Sequence, residues 1–118
     1  MLKKTNRLTK RKEFGYIYKK GTTVYSNFIS LYFVPTNKMI ARIGFSISKK
    51  IGKAHIRNLV KRRLSEIVRD ILPSINNNFN YIFVAREGID KLAFEDLKGQ
   101  VLYLIKKADK YLIKSEDE

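Results

Sequence analysis

Between residues 56 and 71 the apolar positions recur at the spacing of a helix. At about 100° per residue, Ile56, Val60, Leu64, Ile67, Val68 and Ile71 fall on one side, and that side must be buried. Arg57, Asn58, Lys61, Arg62, Ser65 and Arg69 fall on the opposite arc. A shorter helix is predicted from Lys12 to Lys20, with Phe14, Ile17 and Tyr18 on one side and Gly21 as its stop. Alternation takes over from Phe28 to Val34: Ile29, Leu31 and Phe33 share one face, Phe28, Ser30, Tyr32 and Val34 the other. Pro35, Thr36 and Asn37 end that strand. In a second strand, Arg42 to Ser48, Ile43, Phe45 and Ile47 alternate with the small residues Gly44, Ser46 and Ser48. The small face is expected to leave room for a ligand backbone. A turn from Pro73 to Asn78, a third strand from Tyr81 to Ala85 and a long helix from Phe94 to Leu112 complete the pattern. Leu97, Val101, Leu104, Ile105, Ala108 and Leu112 give that last helix one core-facing stripe.

Elements in this order imply an α/β sandwich, with helices packed on a small mixed sheet. At 118 residues the chain makes one domain. No repeat, low-complexity stretch or Pro/Gly/Ser-rich linker divides residues 1–114. The end, Ser115-Glu116-Asp117-Glu118, reads as an acidic, disordered and solubilising tail.

Charge then narrows the choice of partner. A formal net charge of +14 points to nucleic acid first and to an anionic membrane second. No apolar run approaches the roughly 18 residues of a membrane span, and the first residues lack the apolar core of a signal peptide. Without cysteine there is neither a disulfide framework nor a thiolate zinc site, so the expected compartment is the cytoplasm. The cations are clustered. Lys3, Lys4, Arg7, Lys10, Arg11, Lys12, Lys19 and Lys20 load the first segment, and no acidic residue stands between Arg42 and Glu66.

The polar arc of the central helix has the chemistry of a phosphate grip. Arginine forks two donors onto phosphate, lysine acts as a mobile point charge, and asparagine both donates and accepts. Arg57, Asn58, Lys61 and Arg62 on one helix therefore form a comb of fixed spacing. Catalysis by the polypeptide alone finds little support. Metal-dependent hydrolysis asks for converging carboxylates or histidines, whereas His55 is the one histidine and reads as a contact to phosphate or solvent at the helix start. Glu66 and Asp70 lie one turn apart within reach of Arg62, Arg63 and Arg69, so ion pairs along the helix are expected to absorb them. No phosphate-binding glycine loop, nucleophile elbow or zinc spacing occurs. By spacing alone, Phe14 and Tyr18 suit a core as well as a groove.

The run Gly44-Phe45-Ser46-Ile47-Ser48-Lys49-Lys50-Ile51-Gly52-Lys53-Ala54, followed by Arg57-Asn58, Lys61-Arg62 and Glu66, resembles the signature of the bacterial ribonuclease P protein subunit. Arg7-Leu8, Glu13-Phe14 and Gly21 extend the likeness over nearly the whole chain. Two positions depart from the usual pattern: His55 replaces a small aliphatic residue, and Ser65 replaces an arginine often found before the glutamate. The resemblance implies a ribosomal protein S5 domain 2-like fold with a left-handed crossover through the basic helix, an exception to the usual hand. It further implies a subunit of a ribonucleoprotein endonuclease, whose large RNA cleaves precursor tRNA with bound magnesium to release the mature 5′ end. Magnesium would belong to the RNA holoenzyme, with no metal or other cofactor on the protein. Lys49, Lys53, Arg57, Asn58, Lys61, Arg62 and Arg69 are then expected to hold the catalytic RNA. A cleft formed by Phe14, Tyr18, Tyr32, Ser46 and Ser48, flanked by Arg11, Lys12 and Lys50, is expected to hold the single-stranded 5′ leader. The implied partners are ribonuclease P RNA and precursor tRNA, with no membrane and no small-molecule substrate.

Three other classes are compatible with a basic domain of this size. A ribosomal or other structural RNA-binding protein would need the same comb without a processing role. A DNA-binding regulator would need a helix and turn before Ile56, where the sequence has a strand and a lysine-rich loop. An independent endonuclease would cleave without RNA.

Overall fold

The computed structural model describes residues 2–117, with side chains described for residues 2–111. Four strands form one sheet in the order β1-β2-β4-β3: β1 (Thr22–Tyr25), β2 (Ile29–Pro35), β3 (Arg42–Ser46) and β4 (Phe79–Ala85). β2 pairs antiparallel with β1 and with β4, and β3 pairs parallel with β4. The helices are α1 (Arg11–Lys20), α2 (Ala54–Ile71) and α3 (Phe94–Asp117). A parallel neighbour cannot be reached by a hairpin, so β3 connects to β4 through the whole of α2. This β3–α2–β4 unit is the crossover expected through the basic helix.

Each face of the sheet follows from its alternation. Ile29, Leu31 and Phe33 of β2, Ile43 of β3, and Phe79, Tyr81 and Phe83 of β4 share one core with α2 and α3. Val60, Leu64, Ile67 and Val68 meet it from α2, and Leu97, Val101, Leu104 and Ala108 from α3. Fully burying one such aliphatic side chain contributes roughly 1.5–3 kcal/mol before conformational entropy is charged against it. On the opposite face Ile17 of α1 joins Leu8, Val34 and Ile82 in a smaller cluster, with Phe14, Tyr32 and Val84 packed at its margin. The mixed α/β layers are as expected, with α1 alone on the far face. β4 is apolar on both sides because both clusters use it, which explains the consecutive buried residues Tyr81, Ile82 and Phe83.

Local departures from the expected elements have identifiable causes. β1 was not predicted: it is four residues long, only Val24 is buried, and it gains order from pairing with β2. β4 starts at Phe79 rather than Tyr81, because β2 continues opposite it as far as Pro35. β3 stops at Ser46, and Lys49–Ile51 form a single 3₁₀ turn leading to Gly52, whose φ of 150° favours glycine. Gly21 does end α1, but in an extended conformation. Its requirement is close approach, since a Cβ there would lie 2.9 Å from the Phe33 carbonyl oxygen. α3 is helical as far as Asp117, where the tail from Ser115 was expected to be disordered, while the side chains beyond Tyr111, and with them the expected role of Leu112, are outside the described residues.

Candidate nucleic-acid interface

Burial of the apolar stripe of α2 turns the opposite arc outward. Asn58, Lys61, Arg62 and Arg69 are exposed along it, and His55 is exposed in the first turn. At 1.5 Å per residue, Arg57 and Arg69 stand about 18 Å apart along the helix axis. Arg57 is half-buried, its Nε donating to the Gly52 carbonyl at 3.1 Å, which fixes the stem and the start of the helix together. Lys49, Lys50 and Lys53 are exposed on the turn leading into α2. Ser65 does not share the exposed arc: it is only 4% exposed. It lines a cavity with Arg7 and Leu8 of the amino-terminal segment and with Ile43 and Phe45 of β3, which shield it from solvent.

The expected ion pairs are also rearranged. Among the described residues Glu66 pairs with neither Arg62 nor Arg63, and Arg63 instead donates to the Leu92 carbonyl at 3.4 Å. Arg69 reaches Asp70 at 3.8 Å, an exposed contact of small energetic weight. The strong ion pair is elsewhere: Arg42 of β3 holds Glu13 of α1 at two points, one of them 3.0 Å. That pair pins the start of α1 across the edge strand.

From this anchor α1 packs over β2 and β4 of the sheet. The Phe14 ring sits on Gly44, where a Cβ would lie 2.9 Å from Phe14 Cε2. The space left by Gly44 is therefore filled by the protein's own ring and not kept for a ligand backbone. One turn on, Tyr18 meets Tyr32 of β2 edge to face, with ring centroids 5.0 Å apart, and its centroid is 6.4 Å from that of Phe14. Tyr18 remains 40% exposed, so the aromatic row has an uncovered side. Strand register places Tyr25, Ser30, Val84 and Ser46 in one line across the sheet beside that row. Ser48, Lys50, Val84 and Arg86 surround an open depression at its end. Arg11 continues the Phe14 and Tyr18 stripe, whereas Lys12 lies about 160° around the helix from Phe14 and faces solvent. Lys12 therefore stands off the aromatic row.

The comb and the aromatic row meet. Lys61 and Ser65 of α2 and Phe14, Gly44 and Phe45 from the sheet side line a single cavity at the β3 edge. The family model described as Ribonuclease P matches residues 2–109. The chain belongs to the ribonuclease P protein family. The ribonuclease P protein component of Caldanaerobacter subterraneus subsp. tengcongensis is 39% identical over 111 residues, which cover 94% of this chain and 96% of that protein. A Staphylococcus aureus RNase P protein mutant, described as defective in mRNA degradation activity, superposes with a TM-score of 0.84 at 28% identity over 90% of both chains. The RNase P protein from Thermotoga maritima gives 0.80 at 27% identity, over 86% of this chain and 96% of its own. As a ribonuclease P protein the chain is an RNA-binding subunit of a ribonucleoprotein endonuclease of tRNA processing, which replaces the ribosomal alternative.

Sequence reasoning missed several residues that this ribonuclease P protein places beside the aromatic row. Tyr25, 56% exposed, comes from the unpredicted β1. The run Thr22-Thr23-Val24-Tyr25 between Gly21 and Ser26-Asn27 carries the signal of a short edge strand. Arg86 follows β4, and its Nη1 donates to the buried Ser30 hydroxyl at 3.4 Å. No local pattern points to it, because its position depends on β2 and β4 being neighbours. Displaced titrations belong to the core under α3. Burial and then the nearby Asp109 charge push the Tyr81 hydroxyl well above its ordinary range, and burial raises the Asp109 carboxyl. Asp109 Oδ1 is buried without a hydrogen-bond partner. Among the described residues no three His, Cys, Asp or Glu side chains converge to hold a metal ion, and no helix is long and apolar enough to cross a membrane.

Proposed function

We propose that α2 seats the protein on the catalytic RNA of ribonuclease P, and that the sheet face beside α1 holds the single-stranded 5′ leader of precursor tRNA. Lys49, Lys53, Arg57, Asn58, Lys61, Arg62 and Arg69 grip the folded RNA through its phosphates and riboses. Phe14, Tyr18 and Tyr32 offer ring faces and edges to unpaired bases, with Ser46, Ser48, Arg11 and Lys50 along the leader backbone. The observation carrying this reading is the uncovered Tyr18–Tyr32 pair on a sheet face bordered by cations, continuous around β3 with the basic face of α2. Stacking contributes roughly 1–3 kcal/mol per base and demands little of the sequence, as a leader common to many precursors requires.

In this reading hydrolysis is the work of the RNA and its magnesium ions, in the cytoplasm where precursor tRNA is made. The protein binds, orients and discriminates precursor from product. It holds no cofactor and no small-molecule substrate. The test is magnesium-dependent cleavage of a precursor tRNA at low magnesium, with protein alone, a bacterial ribonuclease P RNA alone, and both. Cleavage only on mixing supports the division of labour. Cleavage by protein alone, or no effect of the protein on the RNA, overturns it.

A further inference from the structure

The cavity between the amino-terminal segment, α1, β3 and α2 shares Lys61 with the comb and Phe14 with the aromatic row, and adds Leu2, Arg7, Leu8 and Phe45, which neither uses. Its volume is about 310 Å³, at the lower end of the roughly 300–1,000 Å³ of small-ligand sites. That is room for one nucleotide-sized group and not for a strand. Phe14 and Phe45 supply aromatic surface, Leu2 and Leu8 aliphatic surface, and Arg7 and Lys61 two positive charges. Backbone pairing fixes the wall: Arg7 bridges Ile43 in parallel fashion, and the Leu8 amide donates to the Ile43 carbonyl at 2.9 Å. Within this wall Arg7 Nε is fully buried and finds no acceptor among the described residues. A buried arginine donor left without a partner is costly, and an incoming acceptor relieves it.

We infer that this cavity captures one unpaired nucleotide of the catalytic RNA, its base against Phe14 and Phe45 and its phosphate between Arg7 and Lys61. The inference rests on the proposed seating of α2 on that RNA. Two features favour RNA as the source of the nucleotide. Lys61 belongs both to the cavity wall and to the exposed arc of α2, so an RNA lying on the helix passes the opening. Apolar and cationic walls together suit a group that is flat at one end and anionic at the other, which a mononucleotide unit is and a bare phosphate is not.

The experiment has two arms. In the first, the full-length protein is titrated with adenosine 5′-monophosphate, and separately with inorganic phosphate at matched ionic strength, while the Arg7 Nε–H, Gly44 and Ser65 resonances are followed by NMR. Saturable shifts of these three with the nucleotide, absent with phosphate, are expected. Identical responses to both ligands overturn the site. In the second, affinity for ribonuclease P RNA is measured at raised salt, where non-specific phosphate binding is suppressed, for wild type, Arg7→Lys and Arg57→Glu. Arg7→Lys keeps the charge and the backbone pairing but removes the buried Nε–H, and about a tenfold loss is expected. Wild-type affinity for Arg7→Lys beside a loss for Arg57→Glu overturns RNA capture while leaving the seating of α2 intact. Indifference to both variants overturns the seating and the capture together. The first arm uses only the wild-type protein and stands whether or not the variants fold.

Discussion

Replacing Gly44 by alanine places a methyl group where the Phe14 ring already lies, 2.9 Å from Cε2 and closer still to Cζ. Real Cβ contacts do not become this short, so the ring must move. It cannot slide along the sheet without lifting α1, whose start is tied to β3 by the Glu13 and Arg42 pair. Overpacking of this kind costs about 1–3 kcal/mol. For a domain of this size each kcal/mol lowers the melting temperature by about 4 °C, giving an expected fall of about 4–12 °C. Phe14→Leu alone removes ring volume and is expected to cost about 1 kcal/mol through the space it leaves. Combined with Gly44→Ala it relieves the clash, so the double variant is expected to be more stable than the sum of the singles by at least about 1 kcal/mol. Urea unfolding followed by circular dichroism, with the four proteins at one salt concentration, measures the cycle. A wild-type midpoint for Gly44→Ala, or strict additivity in the double variant, would refute the claim that Gly44 exists to seat Phe14.

Three further outcomes are expected. Tyr18→Ala in the assembled enzyme should weaken binding of precursor tRNA by roughly 1–3 kcal/mol and leave mature tRNA nearly unaffected; equal losses for both would return Tyr18 to a purely structural role. Arg57→Glu with Lys61→Glu should weaken association with ribonuclease P RNA and flatten its salt dependence by about two to four charges' worth of slope; an unchanged slope would refute the comb. Asp109 carries a raised pKa in the folded state, so its protonation favours folding: that contribution is fully present below its unfolded pKa and is lost as pH rises through the folded value. Asp109→Asn is therefore expected to stabilise the protein near neutral pH and to lose this advantage below about pH 4, which unfolding midpoints across that range will show.

The amphipathic period of residues 56–71 and the alternation of Phe28 to Val34 were legible because each element buries one face, and burial imposes its own period on the sequence. The exposed basic arc of α2 followed at once, since the charged side of an amphipathic helix can only face water or a polyanion. Where two elements share one space, that argument stops. Gly44 reads as room for a ligand until the fold lays Phe14 over it, and Ser65 reads as surface until the fold brings the amino-terminal segment and β3 up to it. Tyr25 and Arg86 stand beside the aromatic row only because β1, β2 and β4 are adjacent, a fact of strand order that no local window contains. Sequence alone determined the three helices and three of the four strands, the sign of the partner's charge and the resemblance to a family. Tertiary structure decided that α1 crosses to the far face of the sheet, leaving an aromatic row open and joining it to the basic helix around the β3 edge. The physical reason is range: periodicity reports what each residue does with its own segment, whereas a site is made of contacts between segments far apart in the chain.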